Sequence, residues 1–485
     1  MDVLVSNMAW FNKSQLGDVE TFLLKKKLTL IPKTVDFGPA KDKKDQPPKV
    51  VEMWRETAAH LGVPRAYYFA HLRKPSIVET FRVSNGSPLT HNTNNLVLRP
   101  DDQVPVLNTF LSAFKDEPFA GGLLDAWTGF GKTVYAIKMA EALGRSTAIL
   151  VHKNPLKQQW IERINQHYPS AKVGVVQGPK CQFEGCDFVI FMAQSAMKDG
   201  GDKYPEKLWN YFGLVIVDEC HRFGAASFST VATRFTARFM LGLSATQYRA
   251  DKCENAFRWV IGEVLAKPEA TNQQKPIIYV RQTGFAAVRH EKKNPVTGKT
   301  KVFDMNDFEK PTLLNFIKVS KHRNKLIASD ILFALKANRH PLVMSERLDI
   351  LYSVCEFLKD MTPKHLDREI THGFYVGGRK QAELDEASTC DVVYTTLQLA
   401  KEGIDVIRLD TLFMVSPISD PTQPVGRIGR TKTIIGADGV AVVVPSKNRP
   451  MIVDYVDSEI HDFRSLYRSR LKFYTRSGFE IIGAK

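Results

Sequence analysis

Between residues 122 and 243, short apolar runs alternate with stretches whose apolar residues recur at helical spacing. The runs at 122–124, 147–151, 171–176, 187–191, 214–217 and 238–243 are rich in Val, Leu and Ile and hold few polar residues. Such runs predict strands buried on both faces and joined through helices, which is a parallel sheet with right-handed crossovers. A second series begins with a strand at 276–280. It continues through a helix over 313–337, a strand at 341–345 ending at Glu346 and Arg347, a strand and glycine turn at 375–378, and a strand at 392–396. The spacing over 451–473 predicts an amphipathic helix, whose basic stretch 464–476 either meets a polyanion or packs. The first 95 residues differ. Residues 28–32 and 50–54 predict strands or short helices around a loop at 38–49 rich in Lys, Asp and Pro, and the polar, turn-rich 84–95 predicts a linker. The expected fold class is α/β: two parallel-sheet domains in tandem, 96–270 and 271–485, behind a small accessory domain at 1–95.

Ligands in parallel-sheet folds sit at the carboxyl ends of strands, and there the chain changes character. After 122–124 come Ala126, Trp127, Thr128, Gly129, Phe130, Gly131, Lys132 and Thr133, followed by a helical pattern. A strand, a small-residue turn and a helix make a loop whose N–H groups can wrap an anion. Lys132 would reach the β- and γ-phosphates of ATP, and the Thr133 hydroxyl would hold Mg²⁺. Ala126 stands where the usual pattern has its first glycine. After Val217 come Asp218 and Glu219. Asp218 would hold the same Mg²⁺ through water, and Glu219 would orient and deprotonate the attacking water. Other strand ends carry His152, Lys153 and Asn154, then Gln177 and Gly178, Gln194 and Ser195, and Ser244 and Thr246. Upstream, Gln103 has the donor and acceptor sides to pair with an adenine edge, and Arg99 would stack or hold its own loop.

Charge sharpens this picture. The 485-residue chain carries a net +15, with a pI near 9.3, which favours a polyanionic partner. Tyr67, Tyr68 and Phe69 beside Arg65, with Arg73 and Lys74 nearby, suit base stacking or a small core with a basic edge; the residues leave both open. The basic stretch 289–301, with Pro295 and Gly298 at turn positions, predicts a protruding hairpin or loop that either probes DNA or is simply solvated. No apolar run approaches the roughly 18 residues of a membrane span, and the first residues lack a secretory pattern. Six scattered cysteines suit a reducing compartment, so a cytoplasmic protein is expected, in the host cytoplasm if phage-encoded. Cys181 and Cys186 have no second pair and read as part of a turn rather than a zinc site.

The order of these elements resembles a superfamily 2 helicase of the DExH type over roughly 96–450. The carrying residues are the loop ending Gly131-Lys132-Thr133, then Asp218-Glu219-Cys220-His221, then Ser244-Ala245-Thr246. They continue with Ala400 to Val406, similar to the family's fifth motif, and Gln423-Pro424-Val425-Gly426-Arg427-Ile428-Gly429-Arg430, similar to its sixth. The resemblance implies two RecA-like motor domains that share one ATP, with Gln423 sensing nucleotide or water and Arg427 and Arg430 neutralising transition-state charge from one short helix. It implies nucleotide contacts from Arg99, Gln103, residues 128–133, Gly403 and Asp405. It implies nucleic-acid contacts from His152, Lys153, Asn154, Gln177, Gly178, Gln194, Ser195, Ser345, Arg347, Gly378, Thr395 and Thr396, and coupling through His221, Ser244 and Thr246. The implied activity is that of a monomeric, ATP-dependent DNA helicase or translocase on forked or branched DNA, similar to phage recombination and branch-migration helicases. A double-strand translocase, an RNA helicase and a nucleic-acid-binding adaptor with a vestigial ATPase are the alternatives.

Overall fold

The structure is a computed structural model describing residues 1–32, 50–89, 96–127, 129–197, 202–223, 230–244, 252–269, 274–285, 290–293, 300–303, 306, 308–366, 368–402, 406–429, 432–435, 441–444 and 448–483. The chain divides into two compact units, one running Met1–Ala270 and the other made of Thr271–Ile434 and Val442–Lys485.

In the first unit, the N-terminal residues form a five-stranded sheet in the order Arg55–Glu56, His60–Val63, Ala9–Asn12, Asp2–Val5, Val78–Phe81. Period-two patterning buries Val3, Val5, Ala9, Phe11, Leu61 and Val63 on one face. The expected elements near 28–32 and 50–54 are the short antiparallel pair Thr29–Leu30 and Val51–Glu52. The aromatic cluster resolves in favour of the core. Tyr67 and Tyr68 are buried in the helix Arg65–His71. Arg65, also buried, donates to the carbonyls of Ala237 at 2.7 Å and Phe235 at 3.2 Å and lies over the Phe119 ring. Arg73 pairs with Glu79 and Glu117. These rings therefore offer no face to a stacked base.

The large sheet of this unit has eight strands in the order Lys180–Cys181, Val173–Gln177, Phe188–Met192, Thr147–Val151, Leu214–Asp218, Phe239–Ser244, Ala120–Asp125, Val264–Ala266. All neighbours are parallel except the edge strand Lys180–Cys181, which folds back antiparallel where the cysteine turn was expected. Alternation along each strand feeds two cores. Leu150, Val189, Val215 and Met240 pack with the N-terminal residues; Ile149, Val151, Ile216 and Leu241 pack with the helices Gln103–Phe114, Lys132–Leu143 and Asn154–His167. A parallel sheet needs both faces covered, and here the N-terminal residues cover one of them. The polar stretch expected as a linker is docked where it is described. Ser84 N–H donates to the Thr236 carbonyl at 2.8 Å, and Ser84 and Ala237 form a parallel bridge. Residues 90–95 lie outside the described residues.

The second unit has a seven-stranded, all-parallel sheet in the order His372–Tyr375, Val392–Thr396, Pro341–Ser345, Thr411–Met414, Met451–Val456, Ile277–Gln282, Glu480–Ile482. Two expectations are corrected. Met451–Val456, read as helix, is an interior strand, and the helix begins only at His461 and runs to Arg476. The expected helix 313–337 is two, Lys310–Val319 and Lys321–Lys336, separated at Ser320, whose ψ of 96° is extended rather than helical. The basic stretch does form an antiparallel pair, His290–Lys293 with Thr300–Phe303, while 294–299 lie outside the described residues. Among the described residues no helix is long and apolar enough to cross a membrane.

Candidate nucleotide and nucleic-acid site

Three neighbouring strands of the first unit, Leu214–Asp218, Phe239–Ser244 and Ala120–Asp125, run parallel and end side by side. Their ends carry Asp218, Ser244 and the loop that leads to Lys132. The loop turns through Gly129 (φ 101°) and Gly131 (φ 82°), left-handed conformations that cost a side-chain residue about 1–2 kcal/mol. Gly131 is doubly constrained, because an added Cβ would lie 2.8 Å from Gln103 Nε2. Helix Lys132–Leu143 starts there, so its first N–H groups follow the turn. Lys132 Nζ donates to the carbonyls of Ala126 at 3.0 Å and Trp127 at 3.4 Å, which holds the ammonium over the loop. Phe130 is fully buried and contributes backbone only. Thr128 and Thr246 lie outside the described residues.

Arg99 and Gln103 brace this loop. Both are buried, and both donate to the Phe130 carbonyl, from Arg99 Nη2 at 2.8 Å and Gln103 Nε2 at 2.7 Å. Gln103 Oε1 accepts from the Arg99 backbone N–H, and Asp102 pairs with the Arg99 guanidinium. The Gln103 amide is thus engaged on both sides within the protein.

Asp218 is 7% exposed, and its Oδ2 accepts from Trp160 Nε1 at 2.8 Å. Burial, and then the neighbouring Glu219 carboxylate, push the Asp218 carboxyl above the ordinary range. Glu219 has φ 49° and ψ 50°, an uncommon left-handed residue without glycine's freedom, which turns it off the strand line. His221 Nδ1 lies 2.9 Å from Ser244 Oγ and 3.4 Å from Glu219 Oε2. Burial pushes the imidazole down to about 4, so it is neutral at pH 7 and its tautomer decides which neighbour receives a proton. One hydroxyl on one strand end is thereby tied to the carboxylate turn of the next.

The adjoining strand ends are also gathered. Gln177 accepts from Lys157 Nζ at 2.7 Å and donates to Asn154 Oδ1 at 3.0 Å; Gln194 Nε2 donates to the His152 carbonyl at 2.6 Å. The His152 ring meets Phe223 edge-on, Lys153 caps helix Asn154–His167, and Ser195 is half-buried in helix Ala193–Met197. Gly178 (φ 57°) has open space around it, and its carbonyl accepts from Tyr204. These residues line one continuous polar edge.

In the second unit, Gln423 is buried in the short helix Thr422–Val425. Arg427 is not on that helix, as expected, but in the turn after it, with Nε donating to the Ala400 carbonyl at 2.9 Å. Gly429 closes the turn: its φ is 61°, and an added Cβ would fall 1.9 Å from Pro450 Cγ. Arg430, Gly403 and Asp405 lie outside the described residues. Ser345 and Thr395 are buried, which withdraws their side chains from a surface ligand; Thr396 is half-buried opposite Ser345. Gly378 (φ 81°) has open space around it, and Arg347 forks onto Asp349 and reaches Asn315.

Sequence reasoning missed the supports. Trp160 holds Asp218, and its signal was a lone indole on a helix that packs on the sheet, since a buried indole N–H seeks an acceptor. Arg323, fully buried, pairs with Asp457 at 2.8 Å and donates to the Val415 carbonyl at 2.7 Å. Arg470 pairs with Asp454 at 2.9 Å and donates to the Ile418 carbonyl, while Tyr474 donates to the same carboxylate. Two guanidiniums therefore fix the loop that leads from strand Thr411–Met414 to Gln423.

Residues 96–249 match the family described as type III restriction enzyme, res subunit. The chain is 28% identical to a protein of Acanthamoeba polyphaga mimivirus named "Putative ATP-dependent RNA helicase L396", over 97% of this chain and 84% of that one. It is 23% identical to "Probable helicase D10" of Escherichia phage T5, over 79% of this chain and 76% of that one. Among solved structures, S. cerevisiae Dbp5 bound to RNA and ADP BeF3 matches with a TM-score of 0.50 and 11% identity, over 81% of this chain and 95% of that one; this likeness concerns the fold. Parallel-sheet units resembling helicase motor domains, with polar chemistry at adjoining strand ends, thus accompany sequence likeness to viral proteins, and the chain is related to the viral and phage helicases of the SF2-like superfamily.

Proposed function

We propose that this protein is an ATP-dependent helicase or translocase with tandem RecA-like motor domains, acting on DNA and preferring forked or branched substrates. The observation that carries the reading is the set of three adjoining strand ends in the first unit. They place Lys132 beside a left-handed glycine turn, Asp218 and Glu219 in a buried acidic corner, and a His221–Ser244 contact between them. The donor set fits a magnesium nucleotide. Successive N–H groups and an ammonium suit phosphate oxygens, and a carboxylate with a hydroxyl, from Asp218 and Thr133, offers the hard oxygen ligands Mg²⁺ takes. Bound ATP supplies the phosphoryl group that passes to water, with Mg²⁺ screening its charge. Lys132 neutralises phosphate oxygens, Glu219 orients water and takes its proton, and Trp160 keeps Asp218 in place. In this reading Gln423, Arg427 and Arg430 answer to the nucleotide's terminal phosphate, and the polar edge from His152 to Ser195 grips a sugar-phosphate backbone.

An RNA substrate is the second reading, favoured by the names of the mimivirus relative and of an African swine fever virus relative, "Putative ATP-dependent RNA helicase QP509L", 23% identical over 87% of this chain. ATP turnover with single-stranded, duplex, forked and four-way DNA and with RNA separates the two. Stimulation by branched DNA supports the first reading, and stimulation by RNA alone replaces it with the second. Lys132→Ala and Glu219→Gln must abolish turnover; activity surviving Lys132→Ala rejects the site.

A further inference from the structure

A second cationic feature of the first unit lies away from the strand-end chemistry. A cavity of about 740 Å³ opens where the N-terminal sheet meets the large sheet. Its walls carry Arg55 and Arg82 from the N-terminal residues and Arg234 and Asn210 from the large-sheet domain, with Asn7 between them and Glu206 as the acidic member. Asn210 precedes the strand that starts at Leu214, and Arg234 precedes the strand that starts at Phe239. Those strands are parallel, so the cavity sits at the edge where they begin, opposite the ends at Asp218 and Ser244.

The arginines differ in how far the protein satisfies them. Arg55 donates to the Thr230 carbonyl and to Thr233 Oγ1, and Arg234 pairs with Asp202. Arg82 is exposed on the cavity wall. Burial and the nearby Arg234 charge both push the Arg55 guanidinium down, so two like charges face each other across a partly buried space. An anion placed between them relieves that repulsion. The neighbouring Asn7, Asn210, Ser84 and Thr236 are the amide and hydroxyl side chains that commonly contact phosphate and sugar. Arg234 already covers the Trp209 ring, so the cavity offers charge and hydrogen bonds rather than a stacking platform.

We infer that this cavity binds the phosphodiester backbone of a second nucleic-acid segment, separate from the one gripped at the strand ends. The inference rests on the motor reading for the identity of its polyanion, and it makes the N-terminal residues a hand-hold as well as a cover for the sheet. A branched substrate has two segments to offer, and a short single strand has one.

The test uses the full chain without ATP. Anisotropy measured over a series of salt concentrations gives Kd for a labelled forked DNA and for a short single strand, with wild type, Arg82→Glu and Arg55→Gln/Arg82→Glu. Fork binding is expected to weaken about three- to tenfold per substitution, and the slope of log K against log salt to fall by roughly one for each phosphate no longer neutralised, with short-strand binding unchanged. Unchanged fork affinity and slope overturn the inference. If the double variant fails to fold, the exposed Arg82 carries the test alone. A polyglutamate peptide of matched charge forms the last arm: if Arg82→Glu weakens its binding and spares the fork, the cavity is an acidic-peptide site and the inference falls. Nucleic-acid-stimulated turnover of wild type, measured in parallel, judges the motor reading independently of these binding arms.

Discussion

The two units each display their candidate residues after parallel strands, yet they hold them by different means. The first unit uses backbone geometry. Left-handed Gly129 and Gly131 shape the loop, neutral donors from Gln103 and Trp160 steady it, and a left-handed Glu219 sets the acidic corner. The second unit uses buried charge. Arg323 with Asp457 and Arg470 with Asp454 sit in the interior and clamp the carbonyls of Val415 and Ile418. A phosphate cradle must present unpaired N–H groups, so it is built from residues that leave the backbone open. A loop that must present side chains instead needs its own carbonyls tied down, and a guanidinium has enough donors to tie a carbonyl and a carboxylate at once.

The largest expected effect breaks a clamp. Arg470→Leu leaves Asp454 buried without its cation, which should cost the second unit about 3–5 kcal/mol. Urea unfolding followed by a probe in that unit measures the loss. Arg470→Leu/Asp454→Leu should recover most of it, because the cost comes from the stranded charge rather than the missing attraction. A double variant as unstable as the single one would show that the pair is needed for shape.

Next comes the first unit's loop. Lys132→Ala should lower ATP turnover by about 10²–10³-fold, the usual cost of removing one preorganised donor, or further. Its folding stability should change by less than about 1 kcal/mol, because Lys132 bonds only to loop carbonyls. The contrast with Arg470 is the point: function without stability in one unit, stability that carries function in the other. Trp160→Phe lies between. It leaves an acceptor oxygen of Asp218 unpaired in a buried site, costing about 1–3 kcal/mol, and should also slow turnover by loosening the carboxylate. Unchanged stability would show that the indole N–H is not what holds Asp218.

The same contrast explains what could be read from the sequence. The first sheet was legible because its strands are buried on both faces and so read as unbroken Val, Leu and Ile runs, each ending in a polar residue. Thr147–Val151 was expected residue for residue, and Phe239–Ser244 was displaced by one. The central strand Met451–Val456 was not legible, because Asp454 interrupts it and the helix that follows extends its pattern into one apparent amphipathic segment. An aspartate is admitted to a sheet interior only with a cation beside it, and that cation, Arg470, lies 16 positions away. The break at Ser320 lacked glycine or proline to mark it. Arg65 was ambiguous for the same reason as Asp454: its acceptors, the carbonyls of Phe235 and Ala237, are 170 or more residues distant. Local patterns disclose elements whose burial is apolar, and they conceal elements whose burial depends on a distant counter-charge.

The smallest effect probes whether the second unit also has an arginine held for contact rather than for support. Arg347 follows strand Pro341–Ser345, caps the helix Leu348–Met361, and is one-third exposed where it forks onto Asp349. A pair this open contributes only about 0.2–1 kcal/mol, unlike the two buried clamps. Arg347→Ala should therefore move the unfolding midpoint little. If the side chain grips a phosphate, the same substitution should weaken nucleic-acid binding and lower its salt slope by about one, while Asp349→Ala, which frees the guanidinium, should leave the slope intact. A loss of stability from Arg347→Ala as large as that from Arg470→Leu would place Arg347 among the supports and erase the distinction drawn between exposed and buried guanidiniums in this unit.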